Sequence, residues 1–292
     1  MANLKEVRNR IVSVSSTQQI TSAMKMVSAA KLRRAQDAVT QMRPYANKLK
    51  EILANLSASL DSSEGVYYTQ REVKNVLLVV ITSNRGLCGG FNANVIKSTL
   101  RLIDEKYKGC KVSVLCIGKK GADFFKKTDF AIIGSDMPRG LNELFDKLTF
   151  ANTAPVAEKI MKAFADGEFD KVELIYNQFK NAAVQITTVE QFLPVQAPAS
   201  DKAAPAVDYI FEPNKQFIVE DLIPRSLKTQ LFKALLDSLA AEHGARMTAM
   251  HKATDNAGAL IKELKLMYNK ARQAAITGEI LEIVGGAEAL NG

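Results

Sequence analysis

Tryptophan is absent from this chain, histidine occurs twice and cysteine three times in 292 residues. The cysteines, Cys88, Cys110 and Cys116, are odd in number and irregular in spacing. That gives no disulfide framework and no zinc pattern, and predicts buried, reduced thiols. His243 and His251 stand alone as candidate imidazole ligands, and a metal site needs more donors than that. No apolar run approaches the ~18 residues a membrane span requires. The opening MANLKEVRNR has no apolar core after its charges, carries Glu6 and has few serines, so neither a secretory signal nor a transit peptide is expected. These absences point to a soluble cytoplasmic protein, or one held at a membrane through partners only. Aromatics are scarce where they would matter for nucleic acid. Tyr45 is the only one in the first sixty residues, so a basic segment there has nothing on which to stack bases.

What the chain does have is enough apolar residue, 47%, to build a core. Its charge is uneven. Residues 1–60 hold ten Lys/Arg against three Asp/Glu, residues 61–225 hold 21 of each, and residues 226–292 hold eight against seven. Nearly all of the net +8 therefore lies on the first sixty residues. A solvated helical face is the plain explanation, and a surface that meets an acidic partner is the sharper one.

Both ends carry sustained 3-4 apolar spacing, the mark of a coiled-coil seam. From Leu4 through Val7, Ile11 and Val14 to Leu56 and Leu60, 13 of 17 seam positions are apolar. The four failures, Gln18, Thr21, Lys25 and Ser28, are consecutive. Pro44 is expected to kink or divide this helix. After Pro224 a second seam runs from Phe232 to Gly285 with twelve of 16 positions apolar, broken at His243 and Arg246. A helix over 226–286 would be ~90 Å long and must pair or protrude.

Residues 70–220 read differently. KNVLLVVIT (74–82) is a continuous apolar run rich in β-branched residues with turn residues after it, as a buried parallel strand requires. Strands are likewise predicted at 111–117, 130–133, 171–179 and 183–193, and helices at 94–107 and 152–165. Alternation of this kind makes an open-sheet, Rossmann-like α/β domain. Residues 194–207 read as a Pro/Ala linker. The fold class expected is thus α/β plus coiled coil, with a helix over 1–60, an α/β domain over 70–220 and a second helix over 222–292.

One segment invites a catalytic reading. SNRGLCGGFN (83–92) is a glycine-rich turn between a strand and a helix, where backbone N–H groups can cradle phosphate. Its pattern, Gly86-x-x-Gly89-Gly90, matches neither dinucleotide nor P-loop spacing, and no lysine or ribose-binding acid accompanies it. A structural turn is the stronger reading. With no nucleophile–base set either, no catalytic residue, cofactor or metal is assigned.

Three segments carry a family resemblance: RIVSVSSTQQITSAMKMVSAAKLRRA (10–35), the turn SNRGLCGGFN, and GARMTAMHKATDNAGALIKELKLMYNKARQAAITGEILEIVGGAEAL (244–290). The chain resembles the gamma subunit of bacterial F-type ATP synthases. The resemblance implies a non-catalytic rotor shaft standing in a ring of alternating alpha and beta subunits, with the epsilon subunit and the membrane c ring at its foot. It implies a peripheral position on the cytoplasmic face of the plasma membrane, coupling to proton flow, and no nucleic-acid partner. By motif, Met24, Lys25, Arg246, Gln273 and Thr277 are expected to meet the catalytic ring, with Arg33, Arg34, Glu279 and Glu282 beside them. Phe211 and Glu212, in DYIFEP, are expected at the c-ring and epsilon side. A nucleotide-binding α/β protein and a non-rotary coiled-coil adaptor are the alternatives.

The two polar breaks predict a register. In an antiparallel pair they cost least when they face each other. That sets Lys25 against Arg246 and Ser28 against His243, with Val14 meeting Ala257 and Val7 meeting Leu264. Residues beyond about 270 are then left as a single-helix tip of roughly 15–20 residues.

Overall fold

The computed structural model describes residues 4–57, 66–132, 137–138, 140–195 and 215–291. The regular elements follow the order α1 (Leu4–Ser57), β1 (Asn75–Ile81), α2 (Phe91–Lys106), β2 (Lys111–Ile117), α3 (Lys119–Phe125), α4 (Phe150–Ala165), β3 (Lys171–Phe179), β4 (Gln185–Leu193) and α5 (Lys215–Asn291). The chain divides into two compact units, Ala29–Arg246 and the paired segments Met1–Ser28 and Met247–Gly292.

The larger unit is built on a four-stranded sheet in the order β2-β1-β3-β4. β1 is parallel to both β2 and β3, and β4 closes one edge antiparallel to β3. An unbroken apolar strand belongs where both faces are covered. Accordingly, Val76 to Ile81 have no exposed surface. Side chains alternate across the strand. Leu77, Val79 and Ile81 join Ile160 and Phe164 of α4 and Leu227, Leu231 and Leu235 of α5. Val76, Leu78 and Val80 join Val95 and Ile103 of α2 and Phe125 of α3. Each such Leu, Val or Ile contributes ~1.5–3 kcal/mol through burial. The one carboxylate in the sheet interior, Glu173, is held by Lys106 at 2.6 Å and Lys171 at 3.7 Å.

Several elements depart from expectation. The strand expected at 130–133 is reduced to a single parallel bridge between Val114 and Ala131. The Ala131 N–H turns back to the Thr128 carbonyl at 3.4 Å, so no ladder can extend. Helix α3, unanticipated, packs through two glycines onto the end of β1. The Gly121 N–H donates to Thr82 Oγ1 at 2.8 Å, and Gly118 adopts φ +113° against the Thr82 carbonyl. Pro44 does not end its helix but lies within α1, and Pro224 likewise lies within α5 and Pro155 within α4. Around Pro224 the buried Ile223 and Leu227 supply packing that offsets the lost backbone bond. The Pro/Ala stretch of 194–207 lies mostly outside the described residues, as do Phe211 and Glu212.

In the smaller unit the two helical segments pair antiparallel. Gln18 Nε2 donates to the Thr254 carbonyl at 3.5 Å, Thr254 Oγ1 to Thr21 Oγ1 at 2.8 Å, and Lys25 Nζ lies 3.4 Å from His251 Nδ1. A side chain at Gly258 would meet Gln18 Nε2 at 3.0 Å, so that position is bare to admit the glutamine. Polar residues do face polar residues, but the partner of Lys25 is His251, about one helical turn from the Arg246 that was expected. The reason is that Arg246 already has partners in the larger unit, described below. Val7, Met250, Ala257 and Leu264 are buried in the apolar part of the seam.

Candidate functional site

The glycine-rich turn is fixed from three sides. Ser83 Oγ donates to the Arg85 carbonyl at 2.7 Å, and the Ser83 N–H donates to Asn92 Oδ1 at 2.9 Å. Asn92 Nδ2 reaches Ser83 Oγ at 2.8 Å and Cys88 Sγ at 3.3 Å. Asn84 Nδ2 donates to the Asn142 carbonyl at 2.7 Å. Gly89 takes φ +59°, where glycine is at ease, while Leu87 takes φ 62°, which costs a side-chain-bearing residue about 1 kcal/mol or more. Burial pushes the Cys88 thiol above its ordinary value, with the Ser83 hydrogen bond opposing.

The third side is α5. Arg246 Nη2 donates to the carbonyls of Arg85 at 3.0 Å and Gly86 at 3.2 Å, and Nη1 pairs with Glu242 one turn earlier. Arg246 and Glu242 are each 8% exposed. The turn therefore presents carbonyl oxygens to an internal cation. That is the opposite polarity to a phosphate cradle, which converges N–H groups on an anion. In doubly wound sheets, ligands enter the crevice where strand order reverses, here between β1 and β3. Ala241 and Ala245 of α5 occupy that ground with Cys88, Phe91 and Phe179. Of the residues singled out in the sequence, the structure thus brings Gly86 and Arg246 together. Glu242, the buried carboxylate that completes the arrangement, was missed; its spacing of one helical turn before Arg246 was the available signal.

The other candidates sit on the helices. Arg33 and Arg34 are exposed, and Met24 and Lys25 are half-buried. Gln273, Thr277, Glu279 and Glu282 lie on the last part of α5, where from Arg272 to Ala289 only Gly278 is not exposed. That stretch bares Ile276, Ile280, Leu281, Ile283 and Val284, the last 55% and Ile283 72% exposed. Positions 276, 280, 283 and 284 share one helix face, so the exposure forms a stripe.

The model of the ATP synthase family matches residues 3–290. The ATP synthase gamma chain of Flavobacterium johnsoniae is 65% identical over 293 aligned residues, covering all of both chains. The chain belongs to the ATP synthase gamma chain family. Gamma chains of Chloroherpeton thalassium and Chlorobaculum tepidum are 49% and 46% identical over 99% of each chain. Among solved structures, a chain from the cryo-EM structure of the Euglena gracilis mitochondrial ATP synthase, rotational state 3, aligns with a TM-score of 0.68. It is 24% identical and covers 98% of this chain and 94% of its own, which shows the shared fold. As a gamma chain, the protein is a non-catalytic subunit of the ATP synthase. Among the described residues no helix is long and apolar enough to cross a membrane.

Proposed function

We propose that this gamma chain is the rotating shaft that couples proton-driven turning of a membrane c ring to ATP synthesis in an alpha/beta ring. The observation that carries the reading is the exposed apolar stripe of the α5 tail. Five large aliphatic residues open to water on one helix end mark a surface covered by another protein. A sleeve of catalytic subunits fits that need, and the small residues Ala274, Ala275 and Gly278 keep the rod thin. Gln273, Thr277, Glu279 and Glu282 on the tail, with Met24 and Lys25, are proposed contacts to the ring. Arg33 and Arg34 belong to the basic segment and suit an acidic loop of the same ring. Exposed ion pairs are worth only ~0.2–1 kcal/mol each, so such contacts can exchange as the shaft turns. The epsilon subunit and the c ring are proposed at the α/β domain, with Phe211 and Glu212 on that side. On this reading the chain is proposed to lie peripherally on the cytoplasmic face of a bacterial plasma membrane.

The test is co-purification of the tagged chain from its own membranes. An ATPase should accompany it, and proton pumping by that ATPase should disappear when the chain is depleted and return when it is restored. Coupled pumping that persists without the chain would sink the reading. Reversing Arg33 and Arg34 to Glu should weaken assembly or coupling and leave the α/β domain folded. Unchanged coupling at low and moderate salt would make that face merely solvated.

A further inference from the structure

We infer that the 83–92 turn is a torsional key, which locks α5 against rotation about its own axis, with Arg246 as the positioning residue that sets the lock. The inference rests on the rotor reading for its purpose but not for its geometry. A shaft that transmits torque must not twist inside the domain that grips it. The interdigitated side chains of Leu227, Leu231 and Leu235 oppose rotation earlier on α5, but beside the turn the helix offers only Ala241 and Ala245, which are too small to interlock firmly. Directional hydrogen bonds to a rigid backbone do resist rotation there.

The contacts on α5 have that character. Arg246 Nη2 spans two successive carbonyls, those of Arg85 and Gly86, while Glu242 holds Nη1 of the same guanidinium. A buried, charge-assisted arrangement with several bonds fixes both the height and the azimuth of the helix. Its backing is equally close. A side chain at Gly244 would meet the Ala182 carbonyl oxygen at 3.1 Å and Phe179 at 3.5 Å, so the helix is seated flush in the hairpin between β3 and β4. The socket is itself stiff. Asn92 ties both Ser83 and Cys88, and Asn177 Nδ2 donates to the Phe91 carbonyl at 2.9 Å. The left-handed conformation of Leu87 persists only where surroundings over-determine it. Bolt, flush seat and braced socket come from three separate stretches of chain and converge on one short segment of helix.

The test compares a bolt variant with a socket variant in the assembled, membrane-bound complex. Arg246→Met removes the bolt and Asn92→Ala loosens the socket without touching α5. Each should lower protons pumped per ATP hydrolysed by roughly three-fold or more while hydrolysis continues. The double variant should be no worse than the weaker single, since both break one lock. Arg246→Lys, which can reach one carbonyl, should recover part of the loss. If Arg246→Met uncouples and Asn92→Ala does not, Arg246 acts through another subunit and the key is wrong. A second measurement does not depend on the rotor. In the purified full-length chain, Arg246→Met should speed hydrogen exchange of the 84–90 amides by about ten-fold and leave those of β1 unchanged. Unaltered exchange in the turn would overturn the lock, even if the rotor reading stands. A native chain that fails to support coupled pumping at all would overturn the rotor reading and leave this result intact.

Discussion

Two stretches of α5 have similar aliphatic content and opposite fates. From Ser226 to Arg246 no residue is exposed, and from Arg272 to Ala289 almost every one is. In the first, Leu227, Leu231, Ala234 and Leu235 pack into the sheet core. In the second, Ile280 and Leu281 face water. Apolar composition therefore does not say where the covering surface comes from. In the first stretch it comes from the same chain, and in the second no described residue of the chain supplies it. Stability should accordingly reside in the first and function in the second.

The most severe break should come where the α/β unit leaves no room. A β-carbon at Gly118 would fall 2.0 Å from the Thr82 carbonyl oxygen at φ +113°. Gly118→Ala should cost about 4 kcal/mol or more, read as a collapse of the urea midpoint or loss of soluble protein. A loss under about 1 kcal/mol would mean that α3 is not seated on β1 as described.

Next comes a pH effect on the buried stretch. Burial, then the Arg246 and Lys31 cations, lower the His243 pKa from 6.5 to about 4. The unfolded chain regains the ordinary value, so between pH 6.5 and 4 it binds the extra proton and stability falls as pH falls. The contribution to stability is at most about 3 kcal/mol, fully present above pH 6.5 and lost by about pH 4. His243→Gln should flatten that part of the pH–stability curve, and an unchanged slope would rule His243 out as its source.

A smaller loss is expected where Gly244 meets the hairpin. Gly244→Leu should cost ~1–3 kcal/mol in chemical denaturation. An equal cost in a variant whose 180–184 turn is lengthened would show that the close approach is not its cause. The smallest effect belongs to the tail. Ile283 is 72% exposed, so Ile283→Asp should leave the melting of the isolated chain within about 0.5 kcal/mol. The same change should impair assembly or coupling. Clear destabilisation of the isolated chain would show that the tail has an internal partner, and the contrast between the two stretches would fail.

Much of this was legible beforehand, unevenly. The strands predicted at 111–117 and 171–179 match β2 and β3 residue for residue, because short segments with apolar residues such as Val112, Val114 and Ile117 or Val172, Leu174 and Tyr176, bounded by turn residues, suit a strand better than a helix. α3 was not legible, since KKGADFF is short, and Gly118 before it and Gly121 within it matter only against Thr82, far away in sequence. The seams were readable as seams. Every described seam position from Leu4 to Leu49 is buried or half-buried. Their register was not, because it was inferred from α1 and α5 alone. Arg246 was counted as a polar residue in need of a polar partner across the coil, when its partners are the backbone carbonyls at 85 and 86 and the Glu242 carboxylate on its own helix. Backbone groups carry no sequence signature, so a site built from them escapes any reading by residue type.

The pairing of Lys25 with His251 joins residues 226 apart in the chain. A ribosome adding about 5–20 residues per second takes on the order of 10–45 s to travel from one to the other. For that interval the first helix has emerged without the segment it pairs with. Its seam residues, Val7, Ile11 and Val14 among them, stay uncovered until the last part of the protein is made. Synthesis of this subunit thus includes an obligatory waiting period. In that period the apolar seam of the nascent first helix is open to any other apolar surface, the same helix of a neighbouring chain included. Any slowing of translation between the two ends lengthens that exposure in direct proportion.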